Sequence, residues 1–252
     1  MSVDPSWRLA LALVVLVGVA AVVSWRARLG VARTQVVAAL RATVQLAAVS
    51  LVIVAVIGRL WSSLLFVVLM FVVAVVTTCR RTAVRSAWPW TALAMAIGVV
   101  PVLAVIFLTG VSPLTGLALI PIAGIIIGNA MTAHTLMGRR LFAELEDSIP
   151  SYEAGLALGL VRSEAITEIT SRRAAEALVP SLDTTRTVGL VTLPGAFVGV
   201  LLGGGTALQA GAAQLLVLIG IMAGQALTVA SGHWFITRAQ LLPDALKLRL
   251  RP

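Results

Sequence analysis

Few residues of this chain carry groups that could bind a charged ligand. Asn129, Met131 and His134 lie within one apolar run, and a helix would place them on part of one face. Imidazole nitrogens bind Fe, Zn, Cu and Ni, and thioether sulfurs prefer soft ions. The three side chains are therefore candidates for a weak metal contact along a path through the protein. The alternative is that His134 is a structural residue that forms a hydrogen bond near the end of its helix.

A second pair of chemically active residues, Asp183 and Arg186, precedes another apolar run over 187–204. The two side chains could form a structural ion pair with each other, or Asp183 could gather cations at the entrance of a path. Pro194 lies within this run, and proline interrupts helices. We therefore expect the segment around Pro194 to bend or slide.

The composition determines where these residues must be placed. Hydrophobic residues make up 60% of the 252 residues and charged residues only 12%, and the mean hydropathy is +1.04. A soluble domain has roughly 45–50% apolar and about 25% charged residues. The sequence therefore predicts an all-α, polytopic membrane protein. Although the net charge is +9, the arginines lie between apolar runs and form no continuous face, so nucleic-acid binding is not expected.

Seven runs are long enough to cross a bilayer, which requires roughly 17–25 residues. The predicted spans of this single membrane domain are 7–25, 36–57, 61–78, 89–108, 114–137, 187–204 and 210–236. Arginines are concentrated in alternate connections. The positive-inside rule therefore places the N-terminus outside and the C-terminus in the cytoplasm of a bacterial plasma membrane.

The longest predicted cytoplasmic segment is 138–186, between spans five and six, and it carries eight of the ten acidic residues. Its pattern predicts two helices, with Gly159 as the left-handed cap of the first. Glu164, Glu168, Arg172 and Glu176 recur every four residues along the second helix, which permits Glu–Arg contacts. The segment is either a docking element for a partner protein or a solvated loop with ordinary surface helices.

The run EAGLALG over 153–159 resembles the cytoplasmic coupling loop of ABC-transporter permeases, in which Glu-Ala-Ala is followed three residues later by Gly. Gly155 replaces the second Ala here. A longer resemblance joins this run to IPIAGIIIGNAMTA (120–133) and ALVPSLDTTRTVGLVTLPGAFVGVLLGG (177–204). Together they are similar to the bacterial iron-export ABC permeases, a family with plant relatives linked to aluminium tolerance.

The resemblance implies a homodimeric permease that exports iron or another metal cation by alternating access, with a separate ATPase subunit binding ATP and Mg. It implies that the coupling contact is made by Glu153, Ala154 and Gly159, with the neighbouring acids Glu164 and Glu168. The sequence itself contains one lysine, Lys247, which lies outside any glycine-rich P-loop. The chain is therefore not expected to be an enzyme or to bind a cofactor of its own.

Two alternatives remain open. The cargo could be a non-metal solute such as a sugar-nucleotide or an amino acid, because metal-ligand residues are scarce. The second alternative is a secondary transporter that works without an ATPase. Such transporters often have intramembrane ionisable residues and inverted repeats, which are not evident in this sequence.

Small residues spaced four apart indicate close helix packing or a dimer interface. The predicted packing residues are Gly124 and Gly128 in span five and Gly195, Gly199 and Gly203 in span six.

Overall fold

The computed structural model describes residues 6–250, and most of them lie in helices. The helices are α1 (Trp7–Arg26), α2 (Ala32–Ile57), α3 (Leu60–Thr82), α4 (Trp88–Leu108), α5 (Gly116–Asp147), α6 (Ile149–Ala157), α7 (Arg162–Ala174), α8 (Val179–Thr187), α9 (Gly195–Leu202), α10 (Ala207–Thr237) and α11 (Asp244–Arg249), with a 3-10 turn over Ala175–Ala177. Six of them, α1–α5 and α10, are long and apolar enough to cross a membrane. The predicted all-α membrane bundle is confirmed.

The first compact unit ends at Gly58 and consists of the α1–α2 hairpin. The hydroxyl of Ser24 donates a hydrogen bond of 2.8 Å to Oε1 of Gln35 across the turn. Most other side chains of the hairpin are exposed and apolar. Such a surface fits helices whose outer faces contact lipid, since lipid tails solvate apolar side chains.

The second unit begins at Arg59 and is built around α10, which packs on α4 and α5. Helices α4 and α10 approach so closely that a Cβ at Gly98 would lie 2.5 Å from the Gly224 carbonyl oxygen. A Cβ at Gly220 would meet side-chain atoms of Ile126 and Val102 at 3.3 and 3.4 Å. Small residues allow this close backbone packing.

The glycines that the sequence predicted as packing residues have different surroundings from Gly98 and Gly224. A Cβ at Gly124 would meet Met70 of α3 at 2.8 Å. Gly128, Gly195 and Gly199 have open space around them, and Gly203 is near only its own helix. Within a single chain these four residues leave faces uncovered, so their predicted role in a dimer interface stays a prediction.

Helices α5 and α10 run parallel, because Ile126 lies beside Gly220 and Met137 lies beside Gly232. The connection between them must therefore return along the length of the bundle. The C-terminal half of α10 carries the contact to α7, and the N-terminal half carries the contact to α9, through Gln214. From His233 to Gln214, α10 rises about 28 Å, close to the roughly 30 Å of a bilayer core.

The returning segment corrects one predicted span, because 187–204 does not form a spanning helix. It contains the end of α8, an irregular turn and the eight residues of α9. Gly189 adopts a left-handed φ of 83°, and an isolated bridge joins Val188 to Thr192. Pro194 then forces an extended backbone before α9 begins. The chain therefore returns through a broken element, which consists of α8, the irregular turn and α9.

The end of the second unit that carries α6, α7 and α11, here called the α6–α7 end, has its own apolar core. Its largest fully buried side chains include Leu141, Leu145, Tyr152, Ile166 and Leu242. Helix α5 has 32 residues and continues ten residues beyond the predicted span, to Asp147. The extension therefore carries α6 and α7 on a continuous helix.

Candidate functional site

The turn between α6 and α7 forms an exposed tip. Leu158 is 86% exposed and Val161 is 59% exposed, whereas Tyr152 and Ile166 on the opposite faces are buried. The five residues predicted to contact an ATPase are all exposed around this tip: Glu153, Ala154, Gly159, Glu164 and Glu168. The tip therefore combines exposed apolar side chains with three exposed acids on α6 and α7, Glu153, Glu164 and Glu168.

Gly159 fixes the shape of the tip. Its φ is 95°, a region that side-chain-bearing residues rarely adopt. The amide of Leu160 donates to the Gly155 carbonyl, and the amide of Gly159 donates to the Leu156 carbonyl. This pair of bonds is the Schellman motif, so the predicted left-handed cap is present.

Helix α7 starts at Arg162, and Val161 is its N-cap residue. The side chain of Glu164 accepts a hydrogen bond of 3.1 Å from the Val161 amide. Glu164 therefore satisfies one of the free amides at the helix start and also places its charge at the positive end of the helix.

Salt bridges fasten α7 to the extension of α5. Arg173 bonds Glu144 at 3.1 Å and Glu176 at 3.0 Å, and Arg140 bonds Glu176 at 3.2 Å. Hydrogen bonding to Glu176 and the charges of both acids raise the pKa of Arg173 above its usual value. The sequence predicted contacts between Arg172 and the acids of the same helix. Among the described residues Arg172 forms no salt bridge, and the neighbouring Arg173 bonds Glu176 instead.

Buried side chains of α6 and α7 also hold these helices against the bundle. Burial raises the pKa of the Tyr152 phenol, and the charge of Arg162 opposes the rise, so Tyr152 is neutral under physiological conditions. Thr170 of α7 lies 2.9 Å from Nε2 of His233 in α10. The α6–α7 element is therefore tied to both α5 and α10, with only its tip free.

Closer to the N-terminus of α5, Asn129 links α5 to α10. Its side-chain amide donates to the Ile125 carbonyl at 2.9 Å, and Gln225 of α10 donates to the Asn129 carbonyl oxygen at 3.3 Å. Met131 packs with the apolar side chains of the bundle interior. The structure therefore gives Asn129 and Met131 packing contacts.

His134 is in a different situation. The residue is 1% exposed, and neither ring nitrogen has a hydrogen-bond partner among the described residues. It lies beside Gly232 of α10. A buried polar group without a partner costs about 1–3 kcal/mol. Among residues 6–250, no three His, Cys, Asp or Glu side chains are grouped closely enough to hold a metal ion.

Asp183 and Arg186 do meet, at 3.4 Å, on α8. Both side chains are largely exposed, and an exposed ion pair contributes only about 0–1 kcal/mol. Pro194 lies at the N-cap of α9, just after the break in the returning segment. These three residues therefore belong to the broken element that runs between the two ends of the bundle.

Two polar residues within long helices escaped the sequence-based site prediction. Arg41 is exposed on α2, within a membrane-length helix, and forms no salt bridge among the described residues. A charge inside an apolar run is a functional signal by itself, so the sequence alone could have identified Arg41 as a candidate. Gln214 of α10 accepts a hydrogen bond of 3.3 Å from the Phe197 amide; no sequence pattern predicts that contact.

Comparison with known proteins gives a consistent picture. The family described as "Uncharacterised protein family (UPF0014)" matches residues 6–241. The UPF0014 membrane protein YjkA of Bacillus subtilis is 32% identical over 207 residues, which is 79% of this chain and 81% of that protein. No solved structure was found to match the chain.

Two other relatives have informative names. The probable iron export permease protein FetB of Escherichia coli is 32% identical over 142 residues, covering 55% of this chain and 53% of FetB. The protein ALUMINUM SENSITIVE 3 of Arabidopsis thaliana is 38% identical over 124 residues, covering 49% of this chain and 45% of the plant protein. With the match across residues 6–241, the chain belongs to the UPF0014 family of membrane proteins.

Proposed function

We propose that the chain is the membrane-spanning permease subunit of an ABC transporter, and that it exports iron or another metal cation by alternating access. The observation that carries the proposal is the α6–α7 tip. Its apolar side chains, Leu158 and Val161, are exposed, although they stand on an element that is fastened to α5 and α10. An exposed apolar surface with a polar rim is typical of a protein contact.

In this proposal the tip docks into a groove of a separate ATPase subunit. Glu153, Glu164 and Glu168 would meet basic groups of the ATPase at the rim, and Leu158 would fill its apolar centre. ATP and Mg²⁺ would bind in the ATPase. Two copies of this chain would pair with two ATPases, and closure of the ATPases would tilt α5 and α10 through the contacts of Arg173 and Thr170.

The orientation follows from charge. Placing the α6–α7 end in the cytoplasm puts the arginines of the α3–α4 turn on the same side, in agreement with the positive-inside rule. The N-terminus would then be outside and the C-terminus in the cytoplasm of a bacterial plasma membrane. The broken element of α8 and α9 would provide one crossing, so that seven crossings are made although six helices have spanning length.

The identity of the cargo rests on the name of FetB. A non-metal solute is the second candidate, favoured by the lack of a cluster of His, Cys, Asp or Glu ligands among residues 6–250. An iron pathway here would use weak contacts such as His134 and Asn129. Weak sites suit a cargo that must also leave.

The test is reconstitution of the chain with its ATPase in proteoliposomes whose ATPase faces the bath. We expect ATP-dependent uptake of Fe²⁺ into the lumen, the direction that corresponds to export from a cell. Glu153→Lys and Leu158→Asp should abolish ATPase binding and flux. Leu248→Asp, at an exposed position of α11, is the matched control and should retain both.

Three outcomes separate the alternatives. ATPase binding with uptake of a non-metal solute but no Fe²⁺ would replace the cargo and retain the permease. Flux that follows an ion gradient without any ATPase would identify a secondary transporter. Docking that survives Leu158→Asp unchanged would remove the tip from the coupling contact.

A further inference from the structure

A cleft of about 620 Å³ lies between the C-terminal end of α3 and the N-terminal end of α4. Ligand pockets commonly have volumes of roughly 300–1,000 Å³. The residues that line the cleft are Val75, Val76, Cys79, Arg80, Arg85 and Trp88. Neither the proposed coupling contact nor the proposed path through the bundle uses this cleft.

The mouth of the cleft is cationic. Arg80 and Arg85 are exposed, and neither forms a salt bridge within the described part of the chain. One acid lies near the turn, since Asp244 accepts a hydrogen bond from Ser86, but Asp244 does not line the cleft. Two arginines without an acidic partner in one concave site favour an anion, because guanidinium groups pair with phosphate oxygens in a fork geometry.

The inner wall of the cleft is apolar. Val75 and Val76 precede Arg80 by about one helical turn, roughly 5.4 Å along the α3 axis, and so lie deeper in the spanning segment. Trp88 is 58% exposed at the start of α4, the position that indole rings prefer at a membrane interface. The cleft thus changes from cationic to apolar in the direction from interface to hydrocarbon.

The other compact unit repeats this chemistry. A cleft of about 380 Å³ at the α1–α2 turn is lined by Trp25, Arg28 and Arg33, among others. These arginines also form no salt bridge among the described residues. Two helical hairpins therefore each place a tryptophan and two unpaired arginines in a concave site at their turn.

We propose that the α3–α4 cleft binds the headgroup phosphate of an anionic phospholipid, such as phosphatidylglycerol, and that the α1–α2 cleft is a second site of the same type. Arg80 and Arg85 hold the phosphate, Trp88 lies at the level of the glycerol, and the first methylenes of an acyl chain cover Val75 and Val76. Free phosphate would leave the apolar wall uncovered. Basic pockets between spanning helices have this preference for anionic lipid headgroups.

Cys79 is the only cysteine in the chain. It is 7% exposed and lines the α3–α4 cleft, so the slow labelling of its thiol reports whether the cleft is covered. The protein, purified in neutral detergent, would be labelled with a small maleimide in the presence of phosphatidylglycerol, phosphatidylcholine or inorganic phosphate. We expect only phosphatidylglycerol to slow the labelling. Native mass spectrometry would count retained lipids as a second measurement that does not depend on access to the thiol.

The test variant is Arg80→Gln/Arg85→Gln. Its affinity for phosphatidylglycerol at this site should fall about thirtyfold if each arginine contributes as basic residues do near anionic lipid. The control, Arg172→Gln/Lys247→Gln, removes the same charge from exposed positions outside the cleft and should retain the lipid.

Other outcomes would overturn the proposal. Equal protection by phosphatidylcholine would show a purely apolar site, and equal protection by inorganic phosphate would show an anion site without lipid. Lipid retention that is unchanged in Arg80→Gln/Arg85→Gln, or protection only by the ATPase subunit, would assign the arginines to another role.

Discussion

The hydroxyl oxygen of Thr170, on α7, lies 2.9 Å from Nε2 of His233, on α10. The same hydroxyl donates its only proton to the Ile166 carbonyl at 2.7 Å. The Thr170 oxygen must therefore accept from His233, which fixes the tautomer with the proton on Nε2. This bond is a direct polar connection between α7 and α10.

Removing that bond should uncouple the two helices. Thr170→Val keeps the shape of the side chain but leaves the His233 donor without its partner. We expect ATPase binding to persist and Fe²⁺ flux per ATP hydrolysed to fall several-fold, measured in the proteoliposomes described above. Thr167→Val is the matched control, because Thr167 is exposed on the same helix and its hydroxyl donates to the Ser163 carbonyl of that helix. An equal loss in both variants would contradict the coupling role.

The cap of α6 gives a second prediction. Gly159→Ala would force a side chain into a left-handed conformation, at a cost of about 1–2 kcal/mol. The tip should lose its shape, and ATPase affinity should fall by about tenfold. Gly155→Ala is the comparison, since its Cβ would meet the end of Leu160 at 3.3 Å and the Cβ of Ala165 at 3.5 Å, without a change of backbone conformation. Binding titration with the purified ATPase measures both variants, and the prediction fails if Gly155→Ala is the weaker binder.

The contact of α4 with α10 gives a third prediction. Gly98→Ala would overlap Thr228 and place a Cβ 2.5 Å from a backbone oxygen of α10, which cannot move without shifting the helix. Overpacking of this kind costs about 1–3 kcal/mol or more. We expect a clear fall in the melting temperature in detergent. Gly128→Ala, which has open space around it, should melt close to the unaltered protein.

His134 and Asn129 should respond in opposite directions. His134→Leu removes two buried nitrogens that have no partner among the described residues, so the melting temperature should rise while transport falls. Asn129→Leu removes an acceptor of Gln225 and the bond to Ile125, so it should lower stability by about 1 kcal/mol. Thermal unfolding and flux measured on both variants test this opposition. A lower melting temperature for His134→Leu would assign the ring a packing role.

Hydropathy predicted the long helices well, because length and apolar composition decide whether a helix can span a bilayer. The same measure failed over 187–204. That run is as apolar as the others, but Gly189 and Pro194 interrupt its backbone. Hydropathy averages side chains and is insensitive to φ, so two residues of unusual backbone geometry were enough to break the predicted span.

The candidate site was predictable where its cause is local. The left-handed Gly159 follows from the helix end that it caps, and the exposure of Glu153 follows from its charge. Partners that are distant in the chain were not predictable. Arg173 was chosen over Arg172 by the position of Glu144 on another helix, and the contact of His233 with Thr170 joins residues 63 positions apart.

The length of α5 has a mechanical consequence. From Gly124, where α5 contacts α3, to Glu144, where it holds Arg173, the helix rises about 30 Å. A rigid rod of that length acts as a lever: a tilt of about 10° would move its far end by about 5 Å, given the same rise per residue. The helix would pivot near Gly124, and the salt bridge between Glu144 and Arg173 would pass the movement of the tip to its far end. A modest movement at the tip would then become a small rotation deep within the bundle.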